Sequence, residues 1–98
     1  MFARVSTFKL RDGAIDTMRN LVLAQVEPKL QAIDGLITTI TTYNDATNEG
    51  QSLAVYQDAK AAEAAQQTIA EVWSTVAEYL QSPPSVESRE VVLHVASA

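Results

Sequence analysis

A four-stranded antiparallel sheet with two helices on one of its faces, in the order β-α-β-β-α-β, is the fold this chain predicts. Three observations carry it. Strand-like stretches, alternating or rich in β-branched residues, occur at 1–10, 36–44, 51–57 and 86–95. Two stretches with apolar residues at three- and four-residue steps separate the first strand from the second and the third from the fourth. Asp-Gly pairs, a polar turn and a Ser-Pro-Pro-Ser stop punctuate the junctions. The class is α+β, and 98 residues are expected to form a single domain, 1–98.

In chain order, Met1 to Leu10 places Phe2, Arg4, Ser6 and Phe8 on one strand face and Ala3, Val5, Thr7 and Lys9 on the other. Asp12-Gly13 ends this strand, with Asp12 the expected N-cap of helix one and Asp16 in its first turn. Ile15, Met18, Val22, Val26 and Leu30 give that helix its apolar face. Pro28 removes the amide that would bond to Ala24, so a kink or a restart over 28–33 is expected. Asp34-Gly35 then opens Leu36 to Asn44, whose four threonines, two isoleucines and tyrosine are the strongest strand signal in the chain.

Asp45 to Gly50 is a polar turn, and Gln51 to Gln57 returns as the second arm of a hairpin. Helix two is expected over Asp58 to Ser82. Ile69, Val72, Trp73, Val76 and Leu80 form its bulky apolar face, and an alanine-rich start leaves that face shallow. Such a taper packs closely at one end and marks either a pocket or a simple narrowing at the other. Val86 to Val95 is the last strand. Two helices cover only one face of the sheet, yet Ala3, Val5 and Thr7 on the other set are not polar, so a homodimer packed sheet against sheet is expected.

Composition narrows the function. Apolar residues make up 47% and charged residues 19%, a globular balance. Seven Lys and Arg stand singly against twelve Asp and Glu, for a net charge of −5, which leaves no basic footprint for nucleic acid or anionic membrane. With no cysteine and one histidine, disulfides, thiolate sites and a resident metal are not expected, and no cofactor is implied. The first ten residues carry charges and no signal-like apolar run, and the longest apolar run is Leu21 to Ala24, so a cytoplasmic protein without a membrane span is expected.

The Asp12-Gly13 helix start, the Ile33-Asp34-Gly35-Leu36 entry into strand two, and Ala54-Val55-Tyr56-Gln57-Asp58 running into Lys60-Ala61-Ala62-Glu63-Ala64 resemble the dimeric α+β barrel superfamily. Within it the chain is most similar to the antibiotic-biosynthesis-monooxygenase-like proteins. The resemblance spans nearly the whole chain and is one of pattern. It implies a ferredoxin-like subunit, a homodimer whose two sheets form a barrel, and a small-molecule pocket between sheet and helices in each subunit. Members include cofactor-independent oxygenases of quinol-like aromatics and haem-degrading enzymes. The latter carry an Asn on strand one and a Trp and a His on helix two. Here that Asn position falls on Ser6, helix two has no His, and its Trp lies in the later half.

Five residues are candidates for chemistry. His94 is the only side chain whose ordinary pKa lies near neutrality: it is either a half-exposed strand histidine or a general base that removes a phenolic proton. Arg4 either pairs with an acidic residue such as Glu90 or holds an anionic substrate. Tyr43 and Tyr56, one on each hairpin arm, either fill the interior or donate to a ligand. Trp73 is either a core residue or the wall on which a flat substrate stacks. The expected function is a cofactor-independent monooxygenase acting on a small aromatic or polyketide-like molecule. The alternatives are a non-catalytic ligand-binding module using the same pocket and a purely structural homodimer.

Overall fold

A computed structural model of the chain describes residues 1–97, and its elements follow the expected order. Strand β1 (Phe2–Lys9) leads into α1 (Ile15–Leu21), a π-helical turn (Val22–Val26) and α2 (Glu27–Gln31). Strands β2 (Leu36–Asn44) and β3 (Glu49–Tyr56) form the hairpin. Then come α3 (Ala59–Ala64), α4 (Gln66–Val76), a short 3-10 turn (Ala77–Tyr79) and β4 (Ser85–Glu90). The sheet is antiparallel throughout, in the order β2-β3-β1-β4. The central strands carry the buried residues, among them Ala3, Ser6 and Phe8 on β1 and Gly50, Val55 and Tyr56 on β3. The edge strands β2 and β4 carry none.

Four local expectations are corrected by the structure. Asp12 does not cap helix one. Ala14 holds the cap position with no side-chain bond, because the Ala14 amide already donates to the Arg11 carbonyl in the preceding turn. The Asp12 carboxylate instead accepts from the Asn48 side-chain amide, tying this turn to the hairpin loop. Pro28 stands at the start of a restarted piece, which runs over Glu27–Gln31 rather than 28–33. The turn before it widens so that the Glu27 amide donates to the Val22 carbonyl five residues back, and helical geometry continues into α2 with Pro28 at its start.

Helix two is divided at Ala65 and closes in a 3-10 turn, rather than running unbroken from Asp58 to Ser82. Its start is as read: the Asp58 side chain accepts from the Ala61 amide at 2.8 Å, a cap worth about 1 kcal/mol. The last strand ends at Glu90, not Val95. Its only partner among the described residues, β1, pairs Phe2 with Glu90, and the ladder runs out where the Val91 amide meets the Met1 carbonyl.

Gly35, at φ +79°, turns the chain beneath α3, where a Cβ would stand 2.7 Å from that of Ala61. Two apolar clusters hold the helices on the sheet. One gathers Phe8, Leu10, Met18, Val26, Val76 and Leu80; the other gathers Tyr56, Ala62 and Ala65. The opposite sheet face is uncovered in part: Ile40 is 55% and Leu53 37% exposed, while Ala3 and Val55 are buried.

Candidate functional site

Strand register arranges the helix-facing side chains of β1, β3 and β2 in four rows. The first is Phe2, Tyr56, Leu36 and the last is Phe8, Gly50, Tyr43. Between them lie Arg4, Ala54, Thr39 and then Ser6, Ser52, Thr41. The outer rows are apolar or aromatic, while the two inner rows are polar except for Ala54. An extra residue at the β2 bulge between Leu36 and Thr38 sets this phase, turning Thr39 and Thr41 towards the helices and Ile40 away.

Over these rows is a cavity of about 380 Å³. Its ceiling is Met18, Val22 and Val26 from helix one and Ile69, Val72 and Trp73 from α4. The widened turn at Val22–Val26 borders this space, and the helices bridge the floor without filling it. Val86, half exposed on β4, lines the cavity where the helices no longer cover the sheet.

Of the five sequence candidates, Arg4, Tyr56 and Trp73 line the cavity. The Arg4 guanidinium carbon lies 6.0 Å from the centroid of the Phe2 ring. Its Nε is buried without a hydrogen-bond partner, and among the described residues it forms no ion pair. The alternative of pairing with Glu90 is not realised: Glu90 stands opposite Phe2, and Ser88 stands opposite Arg4. Tyr56 is 1% exposed. Burial pushes its hydroxyl above the ordinary tyrosine value and the Arg4 charge pulls it part of the way back, so at neutral pH it is a proton donor. Trp73 makes an edge-on contact with Phe8, centroids 5.6 Å apart, while another part of it faces the cavity. It is therefore both a core residue and a wall.

Tyr43 and His94 do not line the cavity. The Tyr43 hydroxyl donates to the Asn48 side chain at 2.8 Å and its ring packs on the Phe8 cluster. His94 lies in the exposed stretch after β4. Sequence reasoning missed Thr39, whose Oγ1 is also buried without a partner, and the hydroxyl row of Ser6, Ser52 and Thr41, in which Thr41 and Ser52 are 2.7 Å apart. The signal was present in the Thr-rich strand, but only the bulge decides which threonines face inward.

No family model and no curated protein matches the chain. Solved structures do. A protein of unknown function from Nitrosomonas europaea, NE2512, is similar over 99% of this chain and 94% of its own, with 18% identity and a TM-score of 0.80. A second Nitrosomonas europaea protein, named as a candidate antibiotic biosynthesis monooxygenase, shares 11% identity over 95% of this chain and 100% of its own, at a TM-score of 0.78. The monooxygenase from the ActVA-Orf6 gene of Streptomyces coelicolor, solved with nanaomycin D bound, shares 16% identity over 99% of this chain and 92% of its own, at a TM-score of 0.76. The chain has the ferredoxin-like α+β fold of the antibiotic-biosynthesis-monooxygenase-like proteins. No helix among the described residues is long and apolar enough to cross a membrane.

Proposed function

We propose that the chain forms a cytoplasmic homodimer and acts as a cofactor-independent monooxygenase on a small aromatic or polyketide-like molecule held between sheet and helices. The cavity carries this reading: its helix side is apolar apart from Gln66, and Arg4 and Thr39 on its floor have buried polar atoms that nothing among the described residues satisfies. The shared fold and the nanaomycin D bound to the Streptomyces monooxygenase support a small-molecule substrate by analogy.

In this reading a phenol-like substrate loses its hydroxyl proton, and Arg4 stabilises the anion that remains. The electron-rich ring gives one electron to dioxygen, and the radical pair joins at a ring carbon to form a C–O bond. The hydroperoxide then loses water to leave a quinone. One oxygen atom enters the product, the other departs as water, and both hydrogens of that water come from the substrate. Tyr56, protonated at neutral pH, donates to the developing oxygen.

His94 is the proposed proton acceptor, and a second subunit gives it a route to a pocket. Val92, Leu93 and Val95 beside it are 99%, 80% and 78% exposed, an apolar stretch that, like Ile40 and Leu53 on the open sheet face, asks for cover. Sedimentation at micromolar concentration is expected to show a dimer. Oxygen uptake with a panel of hydroquinones is expected to consume one dioxygen per product, and His94→Ala to slow it about a hundredfold. Binding without uptake would make the protein a ligand carrier instead. A monomer, or undiminished turnover in His94→Ala, would remove the histidine from the mechanism.

A further inference from the structure

The polar floor is ordered, and its order describes the ligand. Resting on the small-molecule reading above, we propose that the pocket selects a planar aromatic monoanion with its oxygens along one edge, the anionic oxygen at Arg4 and a neutral oxygen at Thr39.

Arg4 and Thr39 occupy the same row on either side of Ala54. Neighbouring strands lie about 4.8 Å apart, so the two backbones are separated by roughly 10 Å. Ala54, with only a methyl group, leaves a slot between them. These two residues hold the two buried polar side-chain atoms that lack a partner among the described residues, and both line the cavity. A cation with a buried, unpartnered Nε and no counter-charge is costly, and in an acidic protein of net charge −5 carboxylates were abundant to pair with it. The counter-charge is left for the ligand to bring.

One cation in the cavity matches one negative charge. A phosphate ester would bring about two against it and place them beneath an apolar ceiling. Met18, Val22, Ile69 and Val72 offer that ceiling only dispersion contacts, which suit the face of a ring. The hydroxyls of Ser6, Ser52 and Thr41 form the next row, where further oxygens on the same edge find donors. The ligand is thus wet along its sheet edge and meets a mainly apolar helix side, where Gln66 is the polar exception.

A matched pair of probes tests this: a naphthoate with a hydroxyl ortho to its carboxylate, and the methyl ester of the same compound. Binding is measured by calorimetry, and quenching of Trp73, the only tryptophan, reports occupancy of this cavity. The anion is expected to bind roughly 10- to 100-fold more tightly than the ester. In Arg4→Gln that preference is expected to fall below about threefold, with the thermal midpoint of the unliganded protein unchanged or raised, because a cation with a buried, unpartnered Nε is removed. Equal binding of the two probes to the native protein overturns the proposal, as does a preference that survives Arg4→Gln. A lowered midpoint would make Arg4 a structural residue and also overturn it. If neither probe binds, the small-molecule reading itself fails; if the ester binds and quenches Trp73 as well as the anion, that reading stands and only the charge assignment falls.

Discussion

Replacing Gly50 by Ala is expected to lower the thermal midpoint by roughly 5–20 °C, although no backbone strain is involved. Gly50 is buried on β3, directly opposite Phe8 on β1 and Tyr43 on β2, and the far end of the Phe8 ring occupies the space a Cβ would take. A Cβ at this position would stand 2.1 Å from Phe8 Cζ. The ring is 4% exposed and packs edge-on against Trp73, so it has little room to move except into the cavity. Overpacking of this kind costs about 1–3 kcal/mol. In a domain whose whole stability is of order 5–15 kcal/mol, that is a large share.

The double variant Phe8→Leu, Gly50→Ala separates steric conflict from any general intolerance of β3. If Gly50 is there to seat the ring, the double variant is expected to be more stable than the sum of the two single losses predicts, by about 0.5–3 kcal/mol. Strict additivity in denaturant unfolding would show that the ring is not what the glycine makes way for.

Ala54→Phe is the second large effect, and it falls on binding rather than stability. Ala54 is the one apolar residue in the two polar rows, and its methyl group forms the floor between Arg4 and Thr39. A phenyl ring there enters space that is already empty, so it need not displace packed neighbours. Ligand affinity is expected to drop at least about a hundredfold, since ring and ligand compete for one volume. The thermal midpoint is expected to stay within roughly 8 °C of the native value, equivalent to about 1 kcal/mol. Calorimetry with the naphthoate and a melting curve on the same preparation check both halves. Undiminished binding would place the ligand elsewhere.

Much of the fold was legible because it rests on local signals. Strand β2 was read as Leu36 to Asn44 and ends there, since β-branched residues and flanking turns are cues within a few residues of each other. The Asp58 cap was not anticipated as such, yet the start of helix two at Asp58 was, from the composition that follows it. The site was legible only in part. Arg4 and Trp73 stood out because a charge or an indole among apolar residues is conspicuous. Thr39 did not, because among four threonines no local cue distinguishes the inward-facing ones from the outward-facing ones.

The chain by itself determined the order of elements, the single helix-covered sheet face, and the placing of Arg4, Ser6 and Phe8 on one side of β1. These follow from periodicities of two and 3.6 residues, which are properties of the backbone and need no partner. The tertiary structure decided which strands are neighbours, and therefore that Arg4, Ala54 and Thr39 form a row. It also decided how the turn before Pro28 widens, where β4 stops, and that Tyr43 binds Asn48 instead of facing the cavity. Each of these depends on pairing between residues distant in sequence, and the energy of such a pair exists only once both are in place. The empty space under the tapered second helix is of the same kind. The alanines at its start pack closely, with Ala62 and Ala65 buried, and the space lies instead under Ile69, Val72 and Trp73, where the sheet rows beneath line it with unsatisfied polar groups.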